Sequence, residues 1–210
     1  MLRKGYVEHP QVLFGAIGDA TTDRCPLQIG QFESDNRMDE QLGNFVLEGG
    51  GGGQMTESYE LAAYFMARHT SIDCFEKRSK RGYLFIIGDE MNYPAVYPRL
   101  VEDVIGEKLS EQISTEAIFA ELGKMYNVYY ILPEGSSYSG NADVIKHWRA
   151  LLGQNVLSLS DLDAVCETIA LTIGLNEGSV DLATGLAHLK DVGSNAGGVV
   201  SKALTGIAAP

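Results

Sequence analysis

The chain has 210 residues, a formal net charge of −12 and 45% hydrophobic residues, which is enough apolar material for a sizeable core. That charge excludes nonspecific nucleic-acid binding, which needs a basic surface. It disfavours an anionic membrane surface, and no run approaches the ~18 apolar residues of a transmembrane helix. Metal cations and basic protein surfaces suit such a chain better. Met1 to Tyr6 carries no apolar run behind its charges, so no secretory signal is expected. Cys25, Cys74 and Cys166 are odd in number and widely spaced, which fits reduced thiols in a cytoplasmic protein better than a disulfide framework or a zinc site.

In chain order, the apolar run over 12–18 predicts a buried strand ending at Gly18 and Asp19. The alternation over 26–32 predicts a second strand, joined to the first by a short polar turn as a hairpin. Residues 35–46 predict a helix capped by Ser34 or Asp35, with Met38, Leu42 and Phe45 on one face. Five glycines follow, Gly49, Gly50, Gly51, Gly52 and Gly53. Glycine lets backbone approach a ligand closely, and a helix start behind it offers free N–H groups and partial positive charge. Residues 56–68 predict that helix, placing Thr56 at its start, with Tyr59, Leu61, Ala62, Phe65 and Met66 inward.

Lys77, Arg78, Lys80 and Arg81 read as a solvated helix end. Residues 83–90, five apolar positions closed by Gly88, Asp89 and Glu90, predict a central parallel strand with acids at its carboxyl end. A helical stripe of Ile118, Leu122 and Met125 precedes a buried strand over 128–133. A helix over 142–152 carries Trp148, a strand covers 155–159, and Ser160 with Asp163 opens a helix running to Ile173. The chain therefore divides into an α/β domain over 1–174 and a Gly/Ala/Ser-rich C-terminal tail over 175–210, with at most short helices.

Such alternation predicts a doubly wound, mostly parallel sheet with helices on both faces. Ligands bind at the carboxyl edge of such sheets. Asp19, Thr56, Asp89 and Glu90 would meet there as hard oxygen ligands, suited to Mg²⁺, Mn²⁺ or Ca²⁺. The order Gly18-Asp19, Ser34-Asp35 before a helix, a glycine run before Thr56-Glu57, and Ile86-Ile87-Gly88-Asp89-Glu90 resembles a von Willebrand factor A-type domain, from about Val12 to Ile173. The resemblance implies a metal-ion-dependent adhesion site, with Thr56 and Asp89 as matching ligand positions, and a non-enzymatic role in binding a protein partner. The family's Asp-x-Ser-x-Ser motif is absent from this chain. The sequence looks like a domain without its first strand and helix, roughly 40–60 residues by the size of one βα unit. Metal binding is then expected to be weak or absent. The open sheet edge is expected to be completed by a second chain or by self-association.

The rival reading is a serine hydrolase. Gly135-Ser136-Ser137-Tyr138-Ser139 follows a strand and precedes a helix, one residue short of Gly-x-Ser-x-Gly, with Asp161 or Asp163 and then His188 in hydrolase order. The glycine run lacks the following Gly-Lys-Ser/Thr of a nucleotide loop. His9, His69 and His147 are isolated, and the three thiols lack an activating neighbour in sequence. Tyr93 and Tyr97, just after Asp89, could line a binding face.

Overall fold

The computed structural model describes residues 4–48 and 53–207. The expected glycine loop Gly49–Gly52 lies outside the described residues; Gly53, at its end, has a φ of 78°. The chain is α/β and begins β1 (Gly15–Ile17), β2 (Leu27–Ile29), α1 (Arg37–Gly43), β3 (Thr56–Glu57), α2 (Tyr59–Arg68) and α3 (Asp73–Arg78). It continues with β4 (Gly82–Ile87), β5 (Met91–Asn92), β6 (Ala95–Val96), α4 (Pro98–Val104), β7 (Ile113–Ser114) and α5 (Thr115–Met125). Then follow β8 (Tyr126–Pro133), α6 (Ala142–Leu152), β9 (Val156–Leu159), α7 (Val165–Asn176), α8 (Leu182–Asp191) and α9 (Gly197–Leu204). Among the described residues, no helix is long and apolar enough to cross a membrane. The chain folds as two compact units, Gln11–Gly82 with Glu90–Asn127, and Met1–Pro10 with Tyr83–Asp89 and Val128–Pro210.

In the first unit β1 and β2 form the expected antiparallel hairpin, Ala16 opposite Gln28. β3 pairs in parallel with β5, Thr56 opposite Met91, and β6 pairs antiparallel with β7. α2 packs along α5. It is buried nearly all round, with Leu61 and Tyr64 at 0% exposure, against Ile118 and Leu122. At its far end Arg68 grips Glu121 through two bonds of 2.9 Å, and Tyr64 donates to Glu107. Two expectations are corrected in this unit. Thr56 lies in a strand, because its backbone pairs across to Met91, and the helix starts only at Tyr59 behind Ser58. α1 buries none of its residues, so Met38, Leu42 and Phe45 are not a core stripe, and its N-cap is Asn36.

The second unit is built on a three-stranded sheet ordered β4-β8-β9, with β8 and β9 parallel. The expected central strand over 83–90 is therefore an outer strand of this sheet. β8 is the inner one, because only its residues are apolar and buried on both faces. Tyr129 and Ile131 of β8 join Leu157 and Leu159 of β9 in a core with Leu171, Leu189, Val200 and Leu204 from α7, α8 and α9. Tyr130, on the opposite face by strand alternation, stacks on Trp148 of α6. The segment beyond Gly174 is thus not a tail. Val199, Val200, Ala203 and Leu204 recur at helical spacing and close the core. The start of α7 also differs: a short 3₁₀ turn over Leu162–Ala164 precedes it, capped by the Asp161 carboxylate on the Asp163 N–H, not by Ser160.

Candidate functional site

The densest polar cluster in the Gln11–Gly82 unit forms around Asp19, at the end of β1. Gly18 leaves room there for the Asp23 carboxylate, which a Cβ would force to shift and which accepts the Asp19 N–H at 2.8 Å. Asp19 is 2% exposed. Its Oδ1 accepts the Thr21 N–H and hydroxyl, both at 2.8 Å. The Tyr93 hydroxyl lies 3.0 Å from each carboxylate oxygen, and Gln54 Nε2 donates to Oδ2. Burial pushes this carboxyl up, but the bonds from Thr21, Tyr93 and Gln54 outweigh it and hold it below the ordinary range.

Tyr93 also reaches a second buried acid. Its N–H donates to Glu60 Oε2 at 3.1 Å, while Glu60 Oε1 is buried without a hydrogen-bond partner among the described residues. Glu60 sits in the first turn of α2, where the helix dipole favours a carboxylate by ~0.3–1 kcal/mol. The helix is enclosed, however, and Glu60 is 0% exposed. Desolvation wins, and with the nearby Asp19 charge it pushes the carboxyl up to about 8, against the hydrogen bonds from backbone N–H groups. The clamp itself is fixed. Thr115 Oγ1 donates to the Tyr93 carbonyl at 2.6 Å and accepts from Asn92 Nδ2 at 2.8 Å. Ser58 Oγ accepts the Ala20 N–H at 2.9 Å, tying the β1 turn to the start of α2. Two acids with opposed proton affinities can form an acid–base pair, but both are buried. Their geometry is that of a locked structural knot. Tyr93→Phe should strip Asp19 of one donor and cost ~1–3 kcal/mol, read as a lowered urea midpoint; an unchanged midpoint would remove Tyr93 from this role.

Of the residues expected at a metal edge, Asp19, Thr56 and Glu90 lie in this unit, and Asp89 lies in the other. Thr56 and Glu90 are brought near each other, since the Met91 N–H donates to the Met55 carbonyl at 3.0 Å. Asp89 accepts the Tyr138 N–H at 2.9 Å. The Asp19 oxygens are already occupied by four donor groups, so they do not fit the first shell of a divalent cation. Among the described residues, no group of three or more His, Cys, Asp or Glu side chains could hold a metal ion.

Of the hydrolase candidates, Ser137 and His188 are not hydrogen-bonded to each other among the described residues. Ser137 is exposed, its neighbours Ser136 and Ser139 bond to the backbone of their own turn, and His188 Nδ1 is engaged by the Tyr6 hydroxyl at 2.9 Å. Glu60 is the residue that sequence reasoning misses, because an acid in a helix's first turn reads as an ordinary dipole partner. The apolar Tyr59, Leu61, Ala62, Ala63 and Tyr64 around it are the one available signal. Comparison with family models, with curated proteins and with solved structures finds no match.

Proposed function

We propose that this protein is a non-enzymatic interaction module of von Willebrand factor A type, with a doubly wound sheet, that binds a basic protein surface in the cytoplasm. The observation that carries the reading is a division of labour. The acids that are brought together, Asp19 and Glu60, are sealed inside, while the exterior combines a strong negative charge with exposed apolar side chains. Such a surface attracts a cationic partner over a Debye length of ~8 Å and then offers it apolar contact. The family assignment rests on Gly18-Asp19 after β1, Thr56 behind the glycine run and Gly88-Asp89 after β4. In this reading Mg²⁺, Mn²⁺ or Ca²⁺ binds weakly at best. The cytoplasmic setting is supported by the free thiols of Cys25, Cys74 and Cys166. Association with a second chain along a sheet edge belongs to the same reading, and light scattering measures it.

The test is titration of the protein with a labelled lysine-rich amphipathic peptide, alongside a serine-directed fluorophosphonate probe. Micromolar, salt-sensitive peptide binding and no labelling of Ser137 are expected. Stoichiometric labelling of Ser137, lost in Ser137→Ala, would instead establish a hydrolase.

A further inference from the structure

The β1–β2 hairpin, α1 and the segment that follows it hold four of the eight exposed large apolar side chains among the described residues: Phe14, Leu42, Val46 and Leu47. Leu47 is 89% exposed, which is extreme for a leucine in an ordered chain. The segment is nevertheless tied down. The Gln28 carboxamide donates to the Val46 carbonyl at 3.0 Å and accepts the Val46 N–H at 2.8 Å, as a neighbouring strand would. The Glu48 carboxylate accepts the N–H groups of Arg24 and Cys25, both at 2.9 Å. Two residues after Gln28, just past the end of β2, Gly30 leaves room for the Gln41 carboxamide, which accepts the Gln31 N–H. Rows 28 and 30 are one side-chain repeat apart, ~6.6 Å. The backbone bearing Leu42 and Val46 is therefore spread over one side of the hairpin, and Phe14 joins through its carbonyl on the Gly30 N–H at 2.9 Å.

The charges around these side chains are mostly acidic, and Arg24, whose N–H bonds Glu48, is a cation beside them in the hairpin turn. Residues 31–48 hold Glu33, Asp35, Asp39, Glu40 and Glu48 against Arg37 alone, and Arg37 is spent on Glu33 and Asp35 at 2.7 and 3.0 Å. An apolar centre with a polar rim is the anatomy of a protein interface. An acidic rim rejects acidic partners, and a second copy of this chain, at −12, is among those it repels.

We propose that this hairpin–α1 face, centred on Leu42, Val46 and Leu47, is the docking surface for a basic amphipathic segment of a partner protein. The proposal rests on the interaction-module reading and names its surface. A partner helix with lysine or arginine flanking a leucine-rich stripe would lay that stripe on the exposed side chains and its cations on the rim.

Fluorescence anisotropy with three labelled peptides tests it: a leucine–lysine amphipathic helix, its leucine–glutamate counterpart, and a lysine peptide scrambled to lose its apolar face. The wild-type chain is expected to bind the first and neither of the others. The double variant Val46→Ser with Leu47→Ser, at side chains too exposed to support the fold, should weaken binding by about tenfold or more. Undiminished binding to the double variant would overturn the proposal, placing the contact elsewhere while leaving the module reading intact. No binding by the wild type to any of the peptides would overturn both. Self-association of the wild type that the double variant abolishes would overturn it in favour of a second copy as occupant.

Discussion

Glu60→Gln is expected to stabilise this protein at alkaline pH by roughly 4–5 kcal/mol. The native carboxyl holds its proton up to about 8, against an ordinary value of 4.5. In the unfolded chain it ionises near that ordinary value. Between the two the folded state binds the extra proton, so stability falls as pH rises and the loss is complete above the folded value. Asp19 works in the opposite direction, with its folded value lowered. Its contribution is present above the ordinary aspartate value and is lost as pH falls through the folded one, outside the Glu60 window. Glutamine keeps an acceptor for the Tyr93 N–H and cannot ionise. Urea unfolding from about pH 4.5 to about pH 9 should show wild type and variant converging at the acid end and diverging toward the alkaline end. Parallel curves would mean that Glu60 takes up no proton on folding.

Trp148→Ala should cost about 3–5 kcal/mol, far above the ~1 kcal/mol centre of single substitutions. Trp148 is 0% exposed and stacks on Tyr130 with ring centroids 3.9 Å apart and planes 15° from parallel. His147 meets its edge at 5.6 Å. Tyr130 is on the inner strand of the three-stranded sheet, with strands on either side of it, so the sheet cannot collapse into the space left behind and a cavity remains. Unfolding followed by far-UV circular dichroism, needed because the only tryptophan is gone, measures the loss. A loss under ~1 kcal/mol would show that α6 is not packed on this sheet as described.

What the sequence disclosed followed from whether local pattern or distant pairing decided each element. α6 runs over the predicted residues, because an Asn141 cap and an apolar face at helical spacing are both local. β8 was legible from its unbroken apolar run. That it, and not β4, is the inner strand was not, since an apolar run does not report its neighbours. Thr56 was misplaced for the same reason, as a two-residue strand exists only through its partner at Met91. The C-terminal helices were hidden by composition. Glycine, alanine and serine around Val199, Val200 and Leu204 resemble a linker, yet those apolar side chains pack into the core. At the candidate site, Asp19 and Tyr93 stood out in the sequence. Their connection did not, because it joins residues 74 apart, and Glu60 entered only through the burial of α2.

The idea at stake is that this surface recruits its partner through acidic and apolar groups, without a bridging cation. The affinity of the leucine–lysine peptide, measured in excess chelator and again in millimolar Mg²⁺, tests it most directly. Equal affinity in both, lost with rising salt, is the expected result. Binding that requires Mg²⁺ and disappears in Asp89→Ala would contradict it and make the contact a metal-bridged one.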